Sequence, residues 1–340
     1  MIKIVVDALG GDRSPIVNIE GCVKALQEIN DLEIVLTGDQ TILKTLLEKY
    51  QYDHLRLSIV HAPDVITCEE APVDALRKRK ESSLVKAYDL LKNDESISGL
   101  VSIGSTGVVL AGSVLKIGRL KGVNRPAFCP ILPTMNKGIV GICDSGANVD
   151  CSSLNLLQFA IMGSLYMEKA YNIEKPRVAL LNIGTEEIKG DLLRKETYQL
   201  LKNCQNINFV GNMEGRDLLS GNYDLVVCDG FSGNVLIKTT EGACLEMLKL
   251  LKHTFTKSFK NKMGAMFLKK DIMEIKNFMD YNNYGGGVML GVNKIVVKGH
   301  GSSKATAIYN CIKQAYTMEK AHLCASISTE IANQMQTFSE

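Results

Sequence analysis

The chain has 340 residues, with 39 lysines and arginines against 37 aspartates and glutamates, so its formal net charge is only +2. Apolar residues make up 46% and charged residues 22%, which excludes intrinsic disorder as the main state and allows a large buried core. Near-neutral charge argues against a general nucleic-acid-binding protein, which would carry a clear basic excess.

The chain opens on a strand-like segment at 2–6 that lacks the charged start and long apolar core of a signal peptide. No apolar run reaches the roughly 18 residues that a membrane-spanning helix needs. The ten cysteines are scattered without a C-x-x-C pair, so no zinc site is expected. These features favour a cytoplasmic protein with reduced cysteines.

Short β-branched runs alternate with longer helix-like segments along the chain. The predicted strands are 2–6, 33–36, 55–60, 100–103, 139–143, 178–183, 207–210, 225–228 and 295–297. The predicted helices are 15–29, 82–91, 106–118, 152–170, 234–251 and 304–316. This alternation predicts an α/β fold of three layers, Rossmann-like, with a mostly parallel sheet. No clear linker divides the chain, so we expect one catalytic domain over 1–340; two subdomains that share one continuous sheet, or two separate domains, are the alternatives.

Small and polar residues follow the ends of the predicted strands, where open parallel sheets bind ligands. Glycines there let the backbone approach a ligand, and the N-termini of the following helices present free N–H groups to anions. Six such loops favour an anion-binding crevice, although each loop alone is more typical of an ordinary turn or cap. The loops are 7–12, 104–107, 144–148, 182–186, 229–234 and 299–304.

Motifs for larger ligands are missing from the sequence. Gly299 and Gly301 are followed by Lys304 where a dinucleotide fingerprint has its third glycine, and neither a P-loop nor a G-x-S-x-G elbow occurs. We therefore expect no cofactor and no metal. Inorganic phosphate, bound by backbone amides and a lysine or arginine, is the predicted ligand.

A first basic cluster, Arg77 to Lys80, leads into Ser82 and Ser83 at the start of a predicted helix. Such a cluster can hold phosphate or the phosphopantetheine of a carrier protein. A solvated run of charges is the alternative.

A second basic segment, 249–270, contains seven lysines and no aspartate, glutamate or arginine. Without those lysines, the 39 basic residues fall to 32 against 37 acidic ones, so the rest of the chain is mildly acidic. Leu251, Phe255 and Phe259 recur on one helical face, and Gly264 is predicted to break the helix beside an apolar tip at 265–268.

We expect a basic amphipathic arm at about 249–279 that contacts an anionic membrane, an acidic carrier protein or a second copy of the chain. An ordinary surface helix is the alternative. Nucleic acid is not expected, because the segment lacks arginine, tyrosine and tryptophan. The residues that carry this prediction are Lys257, Lys260, Lys262, Met266, Phe267 and Leu268.

The ordered set of loop motifs resembles the phosphate acyltransferases of bacterial phospholipid synthesis (PlsX type), which use acyl carrier protein thioesters. The matching segments are Asp7-Ala8-Leu9-Gly10-Gly11-Asp12-x-x-Pro15, Ser82-Ser83, Asp144-x-Gly146-Ala147-Asn148-x-Asp150-Cys151, Leu180-Leu181-Asn182-Ile183-Gly184, Gly211-Asn212-x-Glu214-Gly215-x-Asp217, Asp229-Gly230-Phe231-x-Gly233-Asn234, Tyr284-Gly285-Gly286 and His300-Gly301-x-Ser303. Three steps depart from the family pattern: Ser105-Thr106-Gly107 stands where Asn-Thr-Gly is usual, Asn124-Arg125-Pro126 replaces Gly-Arg-Pro, and Gly287-Val288 replaces Ala-Pro.

The resemblance implies that inorganic phosphate displaces the carrier thiol from a long-chain acyl thioester and yields an acyl phosphate. It also implies a fold akin to phosphotransacetylases and isopropylmalate-type dehydrogenases, a homodimer, and peripheral association with the membrane. The acyl phosphate would pass to a glycerol-3-phosphate acyltransferase.

For this chemistry we predict four catalytic residues: His300, Lys304, Asp229 and Asn234. His300 is the candidate donor to the oxyanion or the leaving sulfur, and Lys304, Lys80 or Arg77 would neutralise phosphate. The predicted phosphate- and substrate-binding residues are Asp7, Gly10, Gly11, Asp12, Lys80, Ser82, Ser83, Ser105, Thr106, Gly107, Asp144, Asn148, Asp150, Asn182, Gly301, Ser302 and Ser303. The carboxylates and amides among them are expected to shape the loops or orient donors.

Three other functions remain open from the sequence. A short-chain phosphotransacetylase would use acetyl coenzyme A, and an isopropylmalate-like dehydrogenase would need NAD and a divalent metal. A non-enzymatic membrane scaffold would need only the basic arm and would leave the six polar loops unexplained.

Overall fold

The computed structural model describes residues 1–278 and 284–337. Its strands are β1 (Ile2–Asp7), β2 (Leu32–Gly38), β3 (Leu57–His61), β4 (Ile97–Ser102), β5 (Ala127–Cys129), β6 (Ile131–Pro133), β7 (Ile139–Cys143), β8 (Arg177–Asn182), β9 (Asn208–Glu214), β10 (Leu225–Val227), β11 (Gly287–Leu290) and β12 (Ile295–Lys298). Its helices are α1 (Ile16–Glu28), α2 (Gln40–Leu47), α3 (Pro72–Lys78), α4 (Ser83–Asn93), α5 (Thr106–Gly112), α6 (Ser153–Tyr171), α7 (Leu192–Asn203), α8 (Gly230–Thr256), α9 (Phe259–Phe267), α10 (Lys269–Phe278), α11 (Ala305–Lys320) and α12 (Leu323–Thr337).

The described strands form two sheets. The first has the order β3-β2-β1-β4-β12-β11-β5, and the second has the order β6-β7-β10-β8-β9. Neighbouring strands are parallel except where β11 pairs with β12 and with β5, and where β6 pairs with β7. The predicted α/β fold with mostly parallel strands is therefore confirmed.

Two sheets replace the single continuous sheet that we considered for two subdomains. The chain passes from the edge of the first sheet to the edge of the second at Pro130, between β5 and β6. The backbone N–H of Ile142 in β7 donates to the Pro130 carbonyl at 3.1 Å, and the N–H of Ser145 donates to the Phe128 carbonyl of β5 at 2.9 Å. The segment from β5 to β6 thus connects the edges of the two sheets.

Helices cover both sheets because the strands are apolar on both faces. One core contains α1, α6 and α11 together with the inner faces of both sheets, and α6 is buried around most of its circumference. The far face of the first sheet packs against α4 and α5. Ile237, in the first turns of α8, packs on the far face of the second sheet.

Every predicted strand and helix has a counterpart in the structure, with ends shifted by a few residues. The unpredicted elements are β5, β6, β11, α2, α3, α7 and α12. Two of these strands have only three residues each, too few to show a period of two. The predicted loop 229–234 is largely helical, because Asp229 caps α8 and the helix begins at Gly230.

The predicted arm is helical, but two details of the prediction were wrong. Gly264 lies inside α9, and the chain instead breaks at Lys257 and Ser258, where Ser258 caps α9. Phe259 therefore belongs to a different helix from Leu251, and the predicted stripe does not continue along one face. Residue 279, the last of the predicted arm, lies outside the described residues.

Within the arm, none of residues 249–274 is buried. Phe267 is 81% exposed and Met266 is 67% exposed, and Leu268 is exposed at the turn between α9 and α10. Lys257, Lys260 and Lys262 are also exposed. None of the described helices combines the length and the apolarity needed to cross a bilayer.

Candidate active site

A cleft of about 170 Å³ lies where the carboxyl ends of the two sheets meet. It is lined by Thr106, Phe128, Pro130, Ile131, Leu132, Ser145, Asn234, Ile237, Lys238, Glu241, Gly285, Gly286, Gly287, Lys298 and His300. The lining combines apolar side chains with two hydroxyls, an imidazole, two lysines and the Glu241 carboxylate. Loops after β4, β7, β10 and β12 thus converge at one place, as expected for an open parallel sheet.

Asp7, at the end of β1, is buried and organises the loops of the first sheet. One of its oxygens accepts from the Ser83 hydroxyl at 2.6 Å and from the N–H of Gly10 at 3.2 Å, and the other accepts from the Ser102 hydroxyl at 2.7 Å. Burial raises the pKa of Asp7 above its ordinary value although these hydrogen bonds oppose the rise. Ser82 caps α4. Asp7, Ser82 and Ser83 hold the loops in place and lie outside the lining of the cleft.

The first and last glycine-rich loops touch. The N–H of Asp12 donates to the Gly301 carbonyl at 2.9 Å. Gly11 has φ +97°, and an ideal Cβ there would lie 2.4 Å from the Ile103 side chain and 3.1 Å from the Gly301 carbonyl oxygen, so a larger residue would be strained and would crowd the last loop. Ser303 is buried, and its N–H donates to the His300 carbonyl at 3.0 Å.

Asp144 plays the corresponding role at the junction of the two sheets. Its carboxylate accepts from the backbone N–H of Phe128 at 2.8 Å and of Asn148 at 2.6 Å, and from the Asn148 side-chain amide at 3.0 Å. Asn148 also donates to the Pro126 carbonyl at 2.7 Å. Burial raises the pKa of Asp144. Asp144 and Asn148 hold the 144–148 loop so that Ser145 lines the cleft.

His300, the predicted oxyanion donor, lines the cleft. The N–H of Ser302 donates to His300 Nδ1 at 3.2 Å, and the Ser302 hydroxyl lies 2.9 Å from the same atom. An Nδ1 that accepts a backbone N–H leaves the proton of the neutral ring on Nε2. Burial, and then the charges of Lys298 and Lys238, hold the pKa of His300 below its ordinary value, so the ring is neutral near pH 7.

Asp229 and Asp150 lie in a separate pocket of about 330 Å³ that Arg194 also lines. Asp229 accepts from the N–H and the hydroxyl of Ser232 at 2.8 Å each, and the Arg194 guanidinium donates to it as well. Burial alone would raise the pKa of Asp229, but these donors hold it below its ordinary value. Asp229 therefore anchors the start of α8, while Asn234, one turn later, lines the cleft.

The remaining predicted residues divide between the cleft and its surroundings. Thr106 lines the cleft, and Gly107 lines a neighbouring pocket of about 600 Å³. Ser105 precedes α5 without a capping hydrogen bond, and Asn182 donates to the Lys189 carbonyl at 3.1 Å. Lys304 stands at the start of α11.

The first basic cluster lies at the surface around the end of α3. Arg77 and Lys80 are exposed and lie outside the lining of both pockets beside α5. Arg79 pairs with Glu70 at 2.9 Å and Lys78 pairs with Asp74 at 3.3 Å, so two members of the cluster are already neutralised.

Sequence reasoning missed Ser145, Lys238 and Lys298 in the cleft, and Arg194 beside Asp229. Lys298 carried a signal, because it ends the otherwise apolar run of β12 directly before the Gly299-His300-Gly301 loop. A lysine that ends a buried strand at a ligand-binding edge is a candidate anion ligand. Within the described residues, no three His, Cys, Asp or Glu side chains gather as metal ligands would.

Comparisons with known proteins show the family of the chain. A profile of the family described as "Fatty acid synthesis protein" matches residues 2–326. The chain is 41% identical to a phosphate acyltransferase of Clostridioides difficile (strain 630) over 331 residues, 97% of this chain and 96% of the relative. It is 45% identical to a phosphate acyltransferase of Thermoanaerobacterium thermosaccharolyticum over 330 residues, 97% of each chain.

Solved structures support the fold alone. A phosphotransacetylase from Streptococcus pyogenes aligns with a TM-score of 0.58 at 18% identity over 94% of each chain. A branched-chain phosphotransacylase from Enterococcus faecalis V583 aligns with a TM-score of 0.54 at 15% identity, over 94% of this chain and all of the other.

Proposed function

Because the chain belongs to the fatty acid synthesis protein family of phosphate acyltransferases, enzymes that transfer an acyl group to phosphate, we propose that its acyl donor is a long-chain thioester of acyl carrier protein. The product is an acyl phosphate that a glycerol-3-phosphate acyltransferase consumes in phospholipid synthesis. The protein works in the cytoplasm at the membrane surface.

The composition of the cleft is the observation that carries this proposal. Lys298 provides positive charge for phosphate, and Phe128, Ile131 and Leu132 provide apolar surface for the first carbons of an acyl chain. An anion and an acyl thioester can therefore meet in one small space. Holding the two reactants together accounts for much of the rate enhancement of a bimolecular transfer.

The reaction needs few groups from the protein. A phosphate oxygen forms a bond to the thioester carbonyl carbon, the carbon–sulfur bond breaks, and the carrier leaves as a thiolate. Because a thiol has a pKa of about 8.5, the leaving group needs no strong acid. His300, neutral and protonated on Nε2, donates a hydrogen bond to the oxyanion that forms on the carbonyl oxygen. No covalent acyl-enzyme is required.

Thiol release from palmitoyl-acyl carrier protein is expected to depend on inorganic phosphate. His300→Ala is expected to lower kcat by about 100-fold, because it removes one donor to the oxyanion. His54→Ala, at an exposed histidine before β3, serves as the matched control and retains wild-type kcat. Phosphate-independent thiol release would contradict the proposed reaction, and full turnover by His300→Ala would contradict the role of His300.

The same assay separates the alternative functions. A short-chain phosphotransacetylase would prefer acetyl coenzyme A to palmitoyl-acyl carrier protein. A membrane scaffold would release no thiol from either donor.

The exposed arm supports a peripheral membrane contact and a homodimer. Phe267→Glu is expected to reduce co-sedimentation with vesicles of equimolar phosphatidylglycerol and phosphatidylcholine by about 10-fold, because the aromatic ring no longer enters the apolar layer. Leu55→Glu, at a residue 94% exposed outside the arm, is the matched control. Unchanged sedimentation of Phe267→Glu would contradict the membrane contact, and a monomer in sedimentation velocity would contradict the homodimer.

A further inference from the structure

Lys298 is a buried lysine in the lining of the cleft. Among residues 1–278 and 284–337 it has no counter-charge. Its side chain is 91% buried, since only 9% of its surface is exposed. In those residues its ammonium group has neither a hydrogen bond nor a carboxylate within ion-pairing distance. The neighbouring Lys238 differs, because it pairs with Glu241 at 3.0 Å.

A buried unpaired charge is costly, so its presence needs a reason. Burial, and then the charge of Lys238, lower the pKa of Lys298 to about 8, which still leaves it mostly protonated near pH 7. The other titratable groups that act on it are His300 from the loop after β12, Cys311 from α11, Cys68 from the loop after β3, and Glu241 from α8. None of them neutralises the ammonium at neutral pH.

The segment 285–287, which lines the cleft beside Lys298, is held in place by hydrogen bonds. Gln314, buried in α11, accepts from the N–H of Gly286 at 3.0 Å and donates to its carbonyl at 3.1 Å. An ideal Cβ on Gly286 would lie 2.6 Å from the Lys298 carbonyl oxygen, so only glycine lets this segment lie against the end of β12. The cationic end of the cleft is therefore a built site rather than a surface lysine.

We propose that Lys298 binds the phosphate acceptor. The phosphate dianion then supplies the counter-charge that the described residues do not provide. Lys238, already paired with Glu241, contributes at the mouth of the cleft. The inference rests on the proposed transfer to phosphate and adds the identity of its principal cation, which differs from the exposed lysines that the sequence suggested. Lys298 fixes the acceptor, and His300 faces the thioester.

Lys298→Met is expected to raise the KM for inorganic phosphate by about 10- to 100-fold and to leave the KM for palmitoyl-acyl carrier protein unchanged. Methionine is an unbranched side chain one heavy atom shorter, and it removes the charge and the N–H donors of the ammonium group. Lys313→Met, at an exposed lysine of α11, is the matched control with wild-type constants. An unchanged KM for phosphate in a folded Lys298→Met protein would overturn the assignment.

Stability and pH separate a binding role from a structural one. At pH 7 without phosphate, Lys298→Met is expected to melt at least as high as wild type, because it removes a buried charge. Added phosphate should raise the melting temperature of wild type and of Lys313→Met but not of Lys298→Met. A lower melting temperature for Lys298→Met, with an intact phosphate response, would also overturn the assignment.

The pH profile tests the charge itself. Only the protonated amine attracts phosphate, so kcat/KM for phosphate should fall as the pH rises through about 8 in wild type. Lys298→Arg keeps its charge, so its decline should begin at higher pH. Because the titration of phosphate is common to both proteins, the difference isolates residue 298. Identical alkaline limbs would contradict the proposal.

The outcomes also distinguish this inference from the proposed function. If wild type shows the phosphate-dependent thermal shift but releases no thiol, the transfer reaction fails and the phosphate site stands. If wild type releases thiol and Lys298→Met has the same KM for phosphate, the reaction stands and the site fails. If wild type shows neither response, both fail.

Discussion

Alanine in place of Gly233 is expected to lower the free energy of unfolding by about 4 kcal/mol and to abolish turnover. An ideal Cβ at this position would lie 2.0 Å from the Asp144 carbonyl oxygen and 2.8 Å from the Cys228 sulfur. Both atoms belong to buried backbone or a buried side chain, so neither can move away cheaply. The first turns of α8 would have to separate from the 144–148 loop, carrying Asn234 and Lys238 out of the cleft.

Gly242→Ala provides the control on the same helix. Nothing lies within 4 Å of an ideal Cβ on Gly242, so alanine is expected to raise stability by up to about 1 kcal/mol through its higher helix propensity. Urea unfolding followed by circular dichroism measures both variants. Equal midpoints for Gly233→Ala and wild type would contradict the close approach of α8 to the loop.

Asn in place of Asp144 is expected to destabilise the protein by about 3 kcal/mol, although the two side chains have the same shape. Each carboxylate oxygen of Asp144 accepts a backbone N–H: that of Phe128 on one oxygen and that of Asn148 on the other. An asparagine must place its NH₂ group against one of these donors, whichever way the amide is turned. A buried backbone N–H then loses its acceptor, and the junction of the two sheets loosens.

Asp7→Asn is the control, because Asp7 is as buried as Asp144 but its partners differ. Both backbone N–H donors, from Leu9 and Gly10, use one oxygen, and the other oxygen accepts only from the Ser102 hydroxyl. The Ser102 hydroxyl already accepts from the Gly104 N–H at 3.0 Å, and its second lone pair can accept from an amide NH₂. Asp7→Asn is therefore expected to stay within about 1 kcal/mol of wild type. Similar losses in both variants, measured by urea unfolding, would contradict this account.

These two predictions concern the same place. The 144–148 loop is fixed on one side by β5, through Phe128 and Asp144, and on the other by α8, through Gly233. The cleft lies between these contacts, so its volume depends on both. A loss of turnover with retained fold would be expected only from changes inside the cleft, such as His300→Ala or Lys298→Met.

Much of the fold was open to sequence reasoning. Apolar runs such as residues 4–6 of β1, 178–181 of β8 and 225–227 of β10 need two covered faces, which predicts a parallel sheet between helices. The glycine-rich loops led to the prediction of a ligand site at the strand ends, and two of these loops touch where Asp12 meets Gly301. Local composition is sufficient for these features because each depends on a few consecutive residues.

Three features depended on contacts between distant residues and so could not be read locally. The division into two sheets depends on how the chain turns at Pro130, and three-residue strands carry no periodic signal. The Asp7 carboxylate meets Ser83 and Ser102, far along the chain, so its role as an internal acceptor appears only after folding. Arg194 reaches Asp229 in the same way.

Length, composition and loop motifs by themselves indicated an α/β protein with one concentrated basic arm, and they predicted an anion-binding edge at the ends of its strands. The tertiary structure alone decided which cations stand at that edge. Exposed lysines such as Lys80 and buried ones such as Lys298 look alike in a sequence, because charge is a property of the residue. Burial and the absence of a counter-charge belong to the packed environment, and they make Lys298 the stronger candidate for holding phosphate.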